Sequence, residues 1–220
     1  MSIALSLGNN LTTGGIFKPT AVNNTSVNNV TDFAGIAGGG TLVLLSTQTA
    51  SASSSISFTT GIDSTYDEYI FKFINIHLSS GTGIYFTFNL STDGGSSYNV
   101  TKTSTFFRAS HTEDDTATSF GYIASGDQAQ GTGYQRLLAP LNTANDQSGS
   151  GTLHLFAPSS TTFVKHFIAR TTAMQQDDLA FDMYVAGYAN TTSAINAIDF
   201  KFESGNIDDG IIKMYGVVKS

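Results

Sequence analysis

Few side chains in this sequence could do chemistry. Four histidines (His77, His111, His154 and His166) and seventeen acidic residues carry most of the proton-transfer and metal-binding capacity, since cysteine is absent. The histidines form no HExxH motif and no pair at metal-site spacing. His77 closes an apolar run, and His154 and His166 lie within strand-like runs, so their default reading is structural. A two-histidine metal site across adjacent strands is the alternative. His111 stands beside Glu113, Asp114 and Asp115 and could share a cation with them, although an acidic loop is more often simply solvated. Asp177-Asp178 and Asp208-Asp209 read the same way, and no DxDxDG loop signals calcium. Serine is abundant, but no GxSxG elbow marks a nucleophile. Glycoside hydrolysis needs two carboxylates facing one cleft. Here Asp63, Asp67, Glu68, Asp93, Asp182, Asp199 and Glu203 fall mostly at strand ends or outward positions. The expectation is a protein with no catalytic residue, no metal and no cofactor; a carbohydrate-active enzyme is the competing class.

The tyrosines offer a different chemistry. Tyr85, Tyr98, Tyr122, Tyr134 and Tyr188 sit at outward positions beside Asn- and Gln-containing loops. An aromatic ring with a hydroxyl handle can stack on a sugar and hydrogen-bond to it. These five are candidate glycan contacts, with ordinary sheet packing or an oligomer interface as the plainer reading. The many Asn-x-Ser/Thr sequons follow from an Asn- and Thr-rich composition and do not imply glycosylation.

Composition bounds the classes available. With 40% hydrophobic residues and sixteen phenylalanines, the 220 residues can build a sizeable core. Charged residues are only 12%, about half the usual share of ~25%, so polarity is carried largely by Ser and Thr. A net charge of −7 with ten scattered Lys and Arg argues against nucleic acid, whose phosphates demand clustered cations. Without disulfides, stability must come from the core or from oligomerisation. The first ten residues lack the charge and apolar run of a secretory signal. No run approaches the eighteen apolar residues of a membrane helix, so no membrane insertion is expected.

Strands must position all of these side chains. Residues 68–78 (EYIFKFINIHL) are apolar on both faces, as a central buried strand would be. Residues 83–91 alternate, with Ile84, Phe86, Phe88 and Leu90 expected inward and Tyr85, Thr87 and Asn89 outward. Residues 194–203 do the same, with Ile198, Phe200 and Phe202 inward and Asp199, Lys201 and Glu203 facing water. The turn at 204–210 and the apolar run 211–218 then predict a C-terminal hairpin, and Asp93-Gly94-Gly95-Ser96 predicts another. Further strands are expected at 41–47, 55–60, 98–108, 119–124, 134–139, 152–157, 162–172 and 179–188, with an exposed acidic loop at 110–118 and a polar loop at 141–151. Many short strands, Gly/Ser/Asn/Asp turns and no repeat read as an antiparallel β-sandwich of jelly-roll type over residues 41–220.

Residues 1–40 differ: they are rich in Asn, Thr and Gly and nearly free of charge. Single apolar residues (Ile3, Leu5, Leu7, Ile16, Phe17, Val22, Val27, Val30, Phe33) recur between polar ones. They would be anchors by which an extended N-terminal attachment arm docks on partner subunits. A plain linker, too polar to offset its ordering entropy, is the alternative.

The stretches 42–77, STDGGSSYN (91–99), FVKHF (163–167) and 187–218 together resemble a family of virion structural proteins of tailed bacteriophages, of the marine and cyanophage type. The resemblance covers about residues 41–218 and rests on strands and turns. It implies a jelly-roll module of a short tail fibre for host attachment, or of a capsid decoration (cement) protein. It also implies a homotrimer whose partners are other tail or capsid subunits, with a host surface glycan as a further ligand. Such a protein is assembled in the host cytoplasm and works on the particle exterior.

Overall fold

The computed structural model describes residues 42–175 and 178–219, and over these the chain is all-β. The strands are β1 (Leu42–Thr49), β2 (Ile56–Phe58), β3 (Glu68–Leu78), β4 (Phe86–Ser91), β5 (Lys102–Thr112), β6 (Thr118–Tyr122) and β7 (Ala129–Gly131). They continue as β8 (Gln135–Arg136), β9 (Gly149–Phe156), β10 (Lys165–Gln175), β11 (Leu179–Ala189), β12 (Ala197–Phe202) and β13 (Ile207–Val217). They form two antiparallel sheets. The larger has the order β1-β13-β3-β9-β10-β11-β5-β6, with β7 also on β5; the smaller is β2-β12-β4-β8.

Eight of these strands make a jelly roll. β1 pairs with β13, β2 with β12, β3 with β9 and β4 with β8. That nesting is one long antiparallel ribbon rolled so that its rungs alternate between two sheets. The other five strands are insertions. β5, β6 and β7 lie in the chain between β4 and β8, and β10 and β11 between β9 and β12. All five extend the larger sheet beyond β9.

The sheets are held together by aromatic packing. Phe58, Phe86 and Phe200 of the smaller sheet meet Phe71 and Phe73 of β3, with Phe200 5.4 Å from Phe71 and 5.2 Å from Phe73 between ring centroids. Phe88 meets Phe167 of β10 at 5.2 Å, edge to face. Edge contacts of this kind add about 0.5–1.5 kcal/mol each beyond area burial.

Several expectations are corrected. Residues 194–218 do not form a hairpin: β12 lies in the smaller sheet and β13 in the larger, each paired to an N-terminal strand. The turn at 93–96 likewise leads from β4 in one sheet toward β5 in the other. The alternation in β4 does not separate core from water, because Thr87 and Asn89 are as buried as Phe86 and Phe88. Asp199 is also buried, although Lys201 is only half-buried and Glu203 is exposed. Residues 110–112 of the expected acidic loop belong to β5. The attachment arm expected over residues 1–40, with all its anchors, lies outside the described residues.

Candidate functional site

The outer face of the larger sheet carries a shallow surface feature on β9 and the inserted strands β10, β11 and β5. Strand residues alternate between faces, so the register sets which outward side chains line up across the strands. One row runs Thr152, Arg170, Tyr184, Phe107, Tyr122 through β9, β10, β11, β5 and β6. The next row runs Ser150, Thr172, Asp182, Ala109, Phe120. The first row is mostly bulky and the second is small as far as Ala109, so Ser150, Thr172, Asp182 and Ala109 form the floor of a shallow trench beside the first row, and Phe120 stands exposed beyond them.

Two depressions mark the trench and share Thr172 and Asp182. One, of about 500 Å³, is lined by Ser150, Gly151, Arg170, Thr171, Thr172 and Asp182. The other, of about 260 Å³, continues over Ala109, Ser110, His111, Ala180 and Phe181.

The wall of the trench is rigidly built. Arg170 Nε donates to Asp182 Oδ1 at 3.1 Å and Nη2 to Oδ2 at 2.7 Å, while the Tyr184 hydroxyl donates to Oδ2 at 3.0 Å. The Arg170 guanidinium lies 5.0 Å from the Tyr184 ring centroid. The other face of Tyr184 stacks on Phe107, at 4.9 Å and an interplanar angle of 2°. Phe107 in turn meets Phe120 edge-on at 5.7 Å. Hydrogen bonding from Arg170 holds the Asp182 carboxyl below the usual carboxylate range. The same contact raises Arg170, and the bond to Asp182 raises Tyr184. An acid held ionised, whose oxygens already accept three of about four hydrogen bonds, has room to accept one more from a ligand and is not suited to taking a proton from one.

The five tyrosines named from the sequence do not converge. Tyr85, Tyr98 and Tyr134 lie at the outer face of the smaller sheet, where their polar and ring contacts are largely internal. The Arg136 guanidinium covers the Tyr85 ring at 3.8 Å and donates through Nε to Glu203 Oε1 at 2.7 Å. Tyr134 donates to Asp199 Oδ2 at 2.9 Å, and Lys201 Nζ sits 4.2 Å from its ring centroid. The Tyr98 hydroxyl is buried and has no partner among the described residues. Tyr122 and Tyr188 belong to the larger sheet: Tyr122 donates to Asp127, and Tyr188 packs against His166.

The histidines have acidic or aromatic neighbours. His154 Nδ1 is 2.6 Å from Glu68 Oε1, His77 Nδ1 is 3.4 Å from Asp208 Oδ2, and His111 Nε2 is 3.0 Å from Asp115 Oδ1. Asp114 instead accepts from the backbone and hydroxyl of Thr116. Among the described residues no three His, Asp or Glu side chains are grouped to share an ion; Asp177 lies outside them.

Phe107, Phe120, Arg170 and Tyr184 were missed by sequence reasoning. The signal lay in the 162–172 and 179–188 runs, which pair as consecutive strands. Their register, which puts Arg170 opposite Tyr184 and Thr172 opposite Asp182, is set by Gln175 pairing with Leu179, three residues further along the first strand than the run predicts. The pairing of β5 with β11 has no comparable local signal. No family model, curated protein or solved structure matches this chain.

Proposed function

We propose that this chain is a non-enzymatic structural protein of a bacteriophage particle, a short tail-fibre-like appendage. Residues 1–40 attach it to other virion proteins, and the β-sandwich faces the host surface from the particle exterior, as a homotrimer. The observation that carries this reading is the outer face of the extended sheet. A jelly roll closes its core with eight strands, yet this chain adds five more that widen one sheet. The widened sheet leaves Phe120 74% exposed, Ile168 52% and Tyr122 54%. Large exposed apolar groups gathered on one face mark contact surfaces. Deleting residues 1–40 should leave a sandwich that folds with the intact chain's unfolding temperature but no longer joins particles. Normal incorporation of the truncated protein would overturn the attachment role.

A capsid decoration protein is the second reading, favoured by one observation. β1 reads LVLLSTQT, without a charge or proline, and no described residue pairs its outer edge. Such an edge suits lateral strand addition within a shell. Copy number separates the two: hundreds per particle mean decoration, and a few tens or fewer mean an appendage.

A further inference from the structure

We infer that the trench across the inserted strands is a binding site for a neutral oligosaccharide, laid along the row Ser150, Thr172, Asp182, Ala109, Phe120. This rests on the reading of the extended sheet as the host-facing surface and names the ligand class that surface takes.

Three observations point to that class. The first is the pairing of donors and acceptors. The Ser150 and Thr172 hydroxyls, the Asp182 carboxylate and the Arg170 guanidinium line one shallow depression. Arg170 is 65% exposed, and the protein hydrogen bonds within the described residues use its Nε and Nη2, leaving Nη1 to point elsewhere. A fixed carboxylate beside a fixed guanidinium presents acceptor and donor side by side, which matches neighbouring hydroxyls of a sugar ring. Both groups are held before any ligand arrives, so little ordering cost is left to binding.

The second observation is shape. The floor crosses four strands, β9, β10, β11 and β5, and three inter-strand spacings of ~4.8 Å give a length of about 14 Å. An open track of that length fits a chain of sugar rings better than a compact metabolite, which binds in enclosed pockets. Beyond Ala109 the same row continues to Phe120, whose exposed ring offers an apolar platform for the C–H face of a pyranose.

The third is charge. Arg170 and Asp182 neutralise one another within the trench. Besides Tyr184 and the Tyr122–Asp127 pair, the ionisable groups at this end of the strands include His111, Glu113, Asp114, Asp115 and Asp178, and this surplus of acids opposes sulfated, phosphorylated or uronic-acid glycans. The Asp182 oxygens already accept three hydrogen bonds, which leaves about one of the carboxylate's roughly four acceptor sites, enough for one hydroxyl and too little for a cation's ligand set.

Affinity electrophoresis of the intact protein through gels containing a neutral glucan, mannan or galactan, with dextran sulfate as the anionic control, tests this. At least one neutral polymer should retard the protein, and dextran sulfate should not. Thr172→Trp places a large ring on the trench floor from an exposed position and should weaken retardation at least tenfold. Arg170→Ala should weaken it as well, while Tyr85→Ala, on the other sheet, should not. Thermal unfolding of each variant establishes that it is folded. Retardation by none of the neutral polymers, or retardation that survives both trench variants, overturns the site. Binding of labelled intact protein to host cells reports separately on the appendage: cell binding that persists in Thr172→Trp leaves that reading standing while the trench falls.

Discussion

Lys102 shows how much a single side chain can shape the behaviour of this protein. It is fully buried, and its Nζ donates to Asn89 Oδ1 at 2.5 Å and to the Val100 carbonyl at 2.8 Å. Two neutral acceptors do not replace the hydration of an ammonium, and burial pulls the amine down to about 7. Because the folded value lies below the unfolded one of 10.5, the unfolded chain binds the extra proton between those values. The penalty for burying Lys102 is therefore greatest at and below pH 7 and fades as the pH rises toward 10.5. Lys165, also lowered by burial, acts in the same direction. Tyr134, raised by burial and its bond to Asp199, acts only above pH 10 and in the opposite sense. Denaturant unfolding should show the wild type gaining on the order of 3 kcal/mol between pH 7 and 9.5, and Lys102→Met should remove most of that rise. An equal rise in the variant would mean that Lys102 is charged in the fold. Asp199 is a second buried group with a defined role, accepting from Ser57 Oγ at 2.5 Å and from Tyr134. Asp199→Ala leaves two hydroxyls without their acceptor and should cost about 2 kcal/mol in the same assay.

At the scale of elements, the inserted strands are held by contacts as close as those of the jelly roll. Gly187 of β11 sits where its two neighbours approach: a Cβ there would lie 2.4 Å from the Thr103 carbonyl oxygen of β5 and 2.8 Å from Cζ of Phe167 of β10. Backbone cannot move aside as a flexible side chain can. Gly187→Ala should therefore cost roughly 1–3 kcal/mol by calorimetry. It should also disturb the cross-strand order on which the trench depends, so neutral-glycan retardation should weaken with it. β4 illustrates a different local logic. Its outward residues are polar yet buried, because the segment leading into β5 and the loop before β8 fold over them; Asn89 Nδ2 donates to the carbonyls of both Tyr98 and Thr132. A polar layer of this kind is satisfied by backbone as well as by water, and alternation alone does not tell the two apart.

For the whole molecule, the aromatic cluster makes two sheets into one folding unit. Phe200 touches Phe58 and Phe86 in its own sheet and Phe71 and Phe73 in the other. Phe200→Ala should cost about 3–5 kcal/mol. The loss should appear as one transition at lower temperature, with calorimetric and van't Hoff enthalpies still equal. Two separated transitions would mean that the extended sheet and the smaller sheet melt independently.

The chain by itself determined the class of the fold, much of its strand content and the core-facing residues of two strands, β4 and β12. An apolar run and a two-residue period are properties of consecutive residues, so β3 could be bounded at Glu68 and Leu78 and the inward residues of β4 and β12 assigned without knowing any partner. Tertiary structure alone decided which strand lies beside which. β12 could equally have paired with β13, its neighbour in the chain, but lies against β2, with Ser57 bonded to Asp199 142 positions away. The trench has the same origin. Arg170, Asp182 and Tyr184 share one hairpin, but Phe107 and Phe120 join them only because β5 docks on β11. That docking depends on the burial of a whole sheet face, which no local spacing encodes.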